Sequence, residues 1–448
     1  MTGMKYETAK TIILTFLVLT SIVFTWGLWT YHPKYDVIPN DQYVQNVSVS
    51  NSQVDTSMIV RPSQILIHKN GNHYGMVEEA DVNKLLKEMK RWTFDDFENI
   101  SSTVSKQNFL SFIHGKGKIE IIYSDEIPMN IYQDLFRIDD KVLDSLTFDT
   151  IIVPVEKRQK FVAYFVSVNH RKIYKATVSG ASLGGIEQFY EKAEKFPRYF
   201  AYNVSETKSI FLPEKEVTMR RLQYYTDELD PDKFKEALFS DPSFVKKDTL
   251  TFGEEYTDGS RLMDVDFLQK LLLYVNPAAG SSISQSNEES SSLIQKSIDF
   301  VNGHGGWTDV YRFAEWNRDL RKVVFRLVVN NHPVFNNYGM SEIVQIWGTN
   351  EINKYQRPLF RLEIPDRVSV QTTLLSGQQV VQQLEKMRGF KKELVNGITL
   401  GYELVKDQER EKVVILEPAW FCLYGGAWKK ISIKDTDEIR GGNAIGLE

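Results

Sequence analysis

IILTFLVLTSIVFTWGLWTY, residues 12–31, is an uncharged run ahead of a chain that is otherwise soluble in character. In a helix rising about 1.5 Å per residue it spans the roughly 30 Å hydrocarbon core of a bilayer. Trp26, Trp29 and Tyr31 gather at one end, where amphipathic rings favour the membrane–water boundary. The run reads as a single N-terminal transmembrane anchor helix, and no second long apolar run follows it. Everything beyond residue 31 is therefore expected to fold on one side of a membrane.

The flanks of the run say which side. The head, residues 1–11, carries Lys5 and Lys10 against Glu7, whereas His32-Pro33-Lys34-Tyr35-Asp36 is close to neutral. Positive charge is retained inside, so the head is expected in the cytoplasm and the bulk outside the cell membrane. A cleaved signal peptide would have a shorter apolar region ending at a small-x-small site. This run ends in GLWTYHP, so an uncleaved anchor is the better reading.

The rest has the composition of a folded domain, with 42% hydrophobic and 12% aromatic residues. A net charge of −5 gives no basic footprint and argues against a nucleic-acid partner. Cys422 is the only cysteine, so no intrachain disulfide can form. Stability must come from the core, as in many bacterial extracytoplasmic domains.

Residues 32–58 are polar and patternless and read as a stalk. Residues 64–69 (QILIHK) and 72–77 (NHYGMV) flank Asn70-Gly71, the dipeptide of a type I′ hairpin turn. Val82, Leu85, Leu86, Met89 and Trp92 recur at helical spacing. Strands are expected at 118–123 and 150–153, closing a first domain over residues 59–156. A middle domain over 157–292 opens with strands at 161–168 and 172–178 and contains helices near 186–196 and 232–239. Asp258-Gly259 marks a tight hairpin, and the serine-rich stretch 281–292 is a solvated boundary. A C-terminal domain over 293–448 begins with a helix at 293–302 that Gly303 can end through a left-handed cap. Strands at 323–329 and 333–335 flank an Asn-Asn-His turn, and Ser376 with Gln379 has capping-box spacing. Strands alternate with turns rather than with crossover helices. The fold class is α+β, a multi-domain region of mostly antiparallel sheets.

Chemistry is sparse. Gly180-Ala181-Ser182-Leu183-Gly184 matches the nucleophile elbow of serine hydrolases, with His304 and His332 available downstream. The strand before it, KIYKATV at 172–178, is punctuated by lysines, whereas the parallel strand under such an elbow is nearly all apolar. A plain loop is the better reading. His68 and His73 face each other if the hairpin turns at 70–71, about 5 Å apart at Cβ, and could share a metal or titrate together. A metal centre needs further ligands, and spacing assigns none. Gly303-His304-Gly305-Gly306-Trp307 resembles an oxyanion loop but lies after the elbow rather than before it. There is no Walker loop, His-Glu-x-x-His, Cys-x-x-Cys or dinucleotide fingerprint. No catalytic, cofactor or metal residue is assigned, and the chain is not expected to be an enzyme. In the anchor, Ser21 with Thr25 and Thr11 with Thr15 stand four apart. Small hydroxyl residues permit close helix approach in lipid, each contact contributing about 0.6 kcal/mol. Alternatively, they bond back to their own helix.

The stretches KYETAKTIILTFLVLTSIVFTWGLWTYHPKY (5–35), IDFVNGHGGWTDVYRF (298–313), QRPLFRLEIP (356–365), ITLGYELV (398–405) and VVILEPAWFCLYGG (413–426) together resemble the YycH family. The likeness runs from the anchor to about residue 433 and rests on the order of these stretches. It implies a membrane-anchored regulatory protein of the essential cell-wall two-component system (YycFG, also WalRK). The implied partners are the sensor histidine kinase YycG (WalK) and a sister protein, YycI. It also implies one membrane span, a cytoplasmic N-terminus and a three-domain extracytoplasmic portion whose last two domains share the fold of YycI. Regulation would run through contacts between the anchor helix and the transmembrane helices of the kinase. Two other classes stand beside it: an extracytoplasmic binding module for a wall fragment or peptide, which needs a concave pocket, and an anchored hydrolase using Ser182, which needs a base in reach.

Overall fold

The computed structural model describes residues 53–138, 146–155, 161–180, 183–280, 290–349, 351–365 and 370–432, with 10–11, 14–21 and 24–25 near the start. The described residues of the N-terminal stretch are helical. Among the described residues no helix is long and apolar enough to cross a membrane; residues 12–13, 22–23 and 26–31 of the apolar run lie outside them.

Residues 46–448 form one compact unit built on two sheets. The first contains β1 (Gln64–Lys69), β2 (Asn72–Gly75), β3 (Thr93–Asn99), β4 (Lys118–Pro128), β5 (Arg137–Ile138), β6 (Thr147–Pro154), β7 (Val162–Ser167), β8 (Lys172–Ser179), β9 (Arg198–Asn203) and β10 (Ser209–Pro213), in the order β10-β9-β2-β1-β4-β6-β7-β8-β3-β5. The expected domain boundary at residue 156 falls between β6 and β7, which pair within this sheet. The second sheet contains β11 (Val217–Glu228), β12 (Lys246–Leu250), β13 (Gly253–Thr257), β14 (Leu262–Asp266), β15 (Leu271–Val275), β16 (Tyr311–Asn317), β17 (Lys322–Val329), β18 (His332–Phe335), β19 (Glu342–Trp347), β20 (Ile352–Pro358), β21 (Phe360–Pro365), β22 (Val370–Leu374), β23 (Val395–Lys406), β24 (Val413–Tyr424) and β25 (Ala427–Lys430). Among the described strands all pairings are antiparallel except β3 with β5 and β18 with β23. This is the sheet-rich α+β class that the turn pattern predicts.

The helices are α1 (Thr56–Ile59), α2 (Glu79–Met89), α3 (Phe109–Ile113), α4 (Met129–Leu135), α5 (Leu183–Glu191), α6 (Pro231–Leu238), α7 (Ser290–Gly303) and α8 (Gly377–Lys386). On α2 the predicted stripe is realised: Val82, Leu85 and Met89 are buried, and Trp92 is buried just past the helix end. α8 opens with the predicted capping box, Ser376 and Gln379 each bonding back to the other. One cap differs from expectation. Gly303 is still helical, and the left-handed residues are Gly305 (φ 101°) and Gly306 (φ 68°). The His304 amide continues the ladder to Phe300 O at 2.9 Å, and its ring stacks on Phe300 at 4.0 Å. That stacking carries the helical path one residue further, so the reversal moves to the next pair of glycines.

The main core is continuous across both sheets, from Ile59 and Val60 to Trp420 and Ile431. β4 packs against β16, and α4 against α7. The first described residues of this unit are fastened here. The Val54 amide donates to Asn302 Oδ1 at 3.0 Å, and Asn302 Nδ2 returns a bond to Val54 O at 3.2 Å. Thr56 Oγ1 donates to Gln295 Oε1 at 2.9 Å. The chain therefore enters the folded unit against α7 before it forms β1.

Candidate functional site

The anchor residues come first. Thr11, Thr15, Ser21 and Thr25 are helical and exposed. Thr15 Oγ1 donates to Thr11 O at 2.8 Å and Thr25 Oγ1 to Ser21 O at 2.8 Å, while Thr20 Oγ1 donates to Phe16 O. Each predicted pair is thus joined by a hydroxyl bonded one turn back, which hides the polar atom while keeping the side chain small. Leu14, Phe16, Leu17 and Phe24 are each at least 60% exposed along the same helix.

Ser182 lies outside the described residues. The strand before it, β8, is antiparallel to both β7 and β3, unlike the parallel strand beneath a hydrolase elbow. The two histidines proposed to serve it belong to the other half of the molecule: His304 Nδ1 bonds Phe300 O at 2.9 Å, and His332 opens β18. A different Ser–His–Glu grouping closes the β7–β8 turn. Ser167 Oγ donates to Glu126 Oε1 at 2.6 Å, and His170 Nδ1 lies 2.7 Å from that oxygen and 3.1 Å from Ser167 Oγ. A catalytic triad uses both ring nitrogens, one for each partner; here a single nitrogen faces both, and the serine is fully buried. The grouping locks a turn.

A cleft of about 370 Å³ is lined by Gln269, Asn336, Tyr338, Glu403, Lys406 and Gln408 among others. Two of its polar side chains serve the surrounding loops: Asn336 Nδ2 donates to Leu404 O, Asn336 Oδ1 accepts from the amides of Tyr338 and Met340, and Lys406 Nζ donates to Leu268 O.

Polar side chains do converge beneath the first hairpin. Asn70 and Gly71 take the positive φ of the predicted turn (54° and 77°), which sets His68 directly opposite His73. Their Nδ1 atoms lie 2.6 Å apart. The ligand set judged incomplete from spacing gains two members. His68 Nε2 lies 2.8 Å from Glu120 Oε2, and His114 Nδ1 lies 2.8 Å from that same oxygen.

The local sequence explains the convergence. On β4, Ile119 and Ile121 belong to the main core, and the period-two alternation of a strand turns Glu120 to the opposite face, where it pairs with Leu66 next to His68. α3 covers that face by burying Phe109 and Ile113 against Ile152, Val166 and Ile173. Its last amide bond, from His114 to Leu110 O, leaves His114 at the C-cap. Gly117 (φ 78°) then turns the chain into β4 and donates to His68 O at 2.8 Å. The ring of Phe211, on β10, lies 4.7–5.6 Å from the three imidazoles.

Glu120 and His68 are each only 1% exposed. Burial pushes the Glu120 carboxyl up, but the charge and hydrogen bond of His114, with those of His68, outweigh it and hold the group at about 2. His73 goes the other way: burial, then the charges of His68 and His114, lower it to about 4. A neutral His73 can accept a hydrogen bond from His68 Nδ1. Sequence spacing finds only the hairpin pair. Glu120 leaves one signal, as the lone acid in the apolar strand KIEIIY (118–123); His114 leaves none, because the path from α3 into β4 places it.

Residues 7–195 match the family model described as YycH protein, N-terminal domain, and residues 207–438 that described as YycH protein, C-terminal domain. The chain is 29% identical over 458 aligned residues to the two-component system WalR/WalK regulatory protein YycH of Bacillus subtilis (strain 168), covering 98% of this chain and 99% of that protein. The crystal structure of YycH from Bacillus subtilis superposes with a TM-score of 0.74 at 26% identity, over 86% of this chain and 99% of the other.

Proposed function

This chain belongs to the YycH family, and from that premise we propose that it is a non-enzymatic, membrane-anchored regulator of a WalK-type sensor histidine kinase (YycG). It acts together with YycI, with residues 12–31 spanning the cell membrane once, the N-terminus in the cytoplasm and the bulk outside. The observation that carries this reading is the match along 98% of the chain to a protein named for WalR/WalK regulation. The uncharged run at 12–31, with its exposed apolar side chains, supports the anchor.

Such control needs no catalysis. A helix that binds one arrangement of the kinase's transmembrane bundle better than another shifts the equilibrium by its differential affinity alone. A coupling of about 1–3 kcal/mol, common in allosteric systems, changes output about 5–150-fold. Ser21, Thr25, Thr15 and Thr11 are the anchor's positions for close packing, since their side chains are small and the hydroxyls of Thr15 and Thr25 bond back to the helix.

The test replaces residues 12–31 with an unrelated helix of equal length and hydrophobicity and reads kinase-dependent transcription, with surface abundance matched. We expect output to change as it does on deletion of the whole chain, and Ser21→Leu with Thr25→Leu to reproduce part of the change. Unchanged output in both would refute regulation through the anchor.

A further inference from the structure

We infer that His68, His114 and Glu120 form a binding site for one divalent transition-metal ion, of which zinc is the best fit, with His73 orienting His68. Nothing in the regulatory reading requires this site.

The geometry is that of a ligand set. The donor atoms of the three residues lie within 4.8 Å of one another, and both imidazoles aim at one carboxylate oxygen at 2.8 Å. Zinc holds nitrogen and carboxylate ligands at about 2.0–2.2 Å, which sets tetrahedral ligand atoms a little over 3 Å apart. The two contacts to the carboxylate need open by about half an ångström, and the two imidazole nitrogens draw toward each other, to admit the ion.

Chemistry selects the metal. Two imidazoles and a carboxylate form a borderline nitrogen–oxygen set suited to zinc rather than to calcium or magnesium, which take oxygen ligands. Charge selects for a cation. Glu120 is enclosed, and a buried carboxylate requires a positive partner; a metal supplies that charge and engages both imidazole lone pairs at once. The surroundings supply orientation. A metal-bound histidine usually donates its other ring N–H to an acceptor, which fixes its tautomer. His68 Nδ1 has such an acceptor in His73 Nδ1, 2.6 Å away. Phe211 gives the cluster an apolar wall. The side chain of His114, 13% exposed, marks the side from which the ion enters and at which a water completes its coordination.

The occupied site would tie together elements far apart in sequence: the β1–β2 hairpin, the end of α3 and β4. In a chain without disulfides it is a cross-link of a different chemistry.

The full-length protein, purified in detergent and stripped with a chelator, is titrated with Zn²⁺ against a chromogenic competitor. We expect one tight equivalent per chain. His114→Ala removes the most exposed of the three ligands and abolishes that equivalent. His73→Ala keeps all three ligands and weakens binding about 10–100-fold. Co²⁺ in place of Zn²⁺ gives the visible absorption of a four-coordinate ion in the unsubstituted protein, a readout that needs no variant to fold. Loading well below one equivalent, no such band, or equal affinity in His114→Ala would overturn the site and leave a proton-sharing network only.

Discussion

Asp149, on β6, shows how one enclosed carboxyl couples stability to pH. Its Oδ2 accepts from the Val168 amide at 2.9 Å and its Oδ1 from Thr150 Oγ1 at 2.8 Å. Burial outweighs both bonds and, with the nearby charge of Glu126, raises the group to about 7. A carboxyl raised on folding binds more protons in the native state. Its contribution is therefore complete below about pH 4 and is lost as pH rises through about 7. Asp125, raised by burial to about 6, acts in the same direction. The full-length protein in detergent should lose stability between pH 5 and pH 7.5, with Asp149 supplying at most about 1.4 kcal/mol per pH unit. Asp149→Asn should flatten that slope in urea titrations at the two pH values; parallel curves would show that the carboxyl does not titrate on folding. Neither this residue nor His114 is legible in the sequence, because each owes its environment to loop paths. The His68–His73 pairing is legible, because a two-residue Asn-Gly turn leaves only one register for the hairpin.

At the scale of elements, the end of α7 separates what pattern predicts from what packing decides. The sequence places the helix correctly and its reversal too early, because the stacking of His304 on Phe300 has no signature in periodicity. The reversal itself leaves no room: a Cβ on Gly305 would lie 2.4 Å from the Phe234 ring. Gly305→Ala combines a left-handed strain with overpacking and should cost about 2–4 kcal/mol, read as a fall in the urea midpoint with an unchanged m-value. The capping box of α8 was legible because both of its bonds are local, and Ser376→Ala should cost about 1 kcal/mol. β3 was not. Its sequence TFDDFEN carries adjacent acids where the ladder to β8 shifts register, and Asp96 sits at φ 54°. An irregular, half-exposed strand breaks the alternation by which strands are recognised.

On the scale of the whole molecule, the core runs unbroken from the first sheet to the second. Polar links follow the same junction: the Trp316 amide donates to Asp125 Oδ2 at 3.0 Å, and Asn331 Nδ2 donates to Val77 O at 3.3 Å. Calorimetry of the full chain in detergent should therefore show one cooperative transition for residues 46–448. Two transitions separated by more than about 10 °C would mean that the halves unfold independently. The turn-rich sequence predicts the α+β class and its antiparallel pairing, but not the sharing of a sheet across residue 156, since strand order is set by distant contacts. The bonds between Val54 and Asn302 acquire a different meaning when force is considered. A pull on the chain ahead of Val54 loads α7, in the second half of the molecule, before it reaches β1. Two hydrogen bonds, on a side chain that also accepts from Trp307 Nε1 at 2.8 Å, are the first to bear tension, and they would yield before any strand is peeled from its sheet.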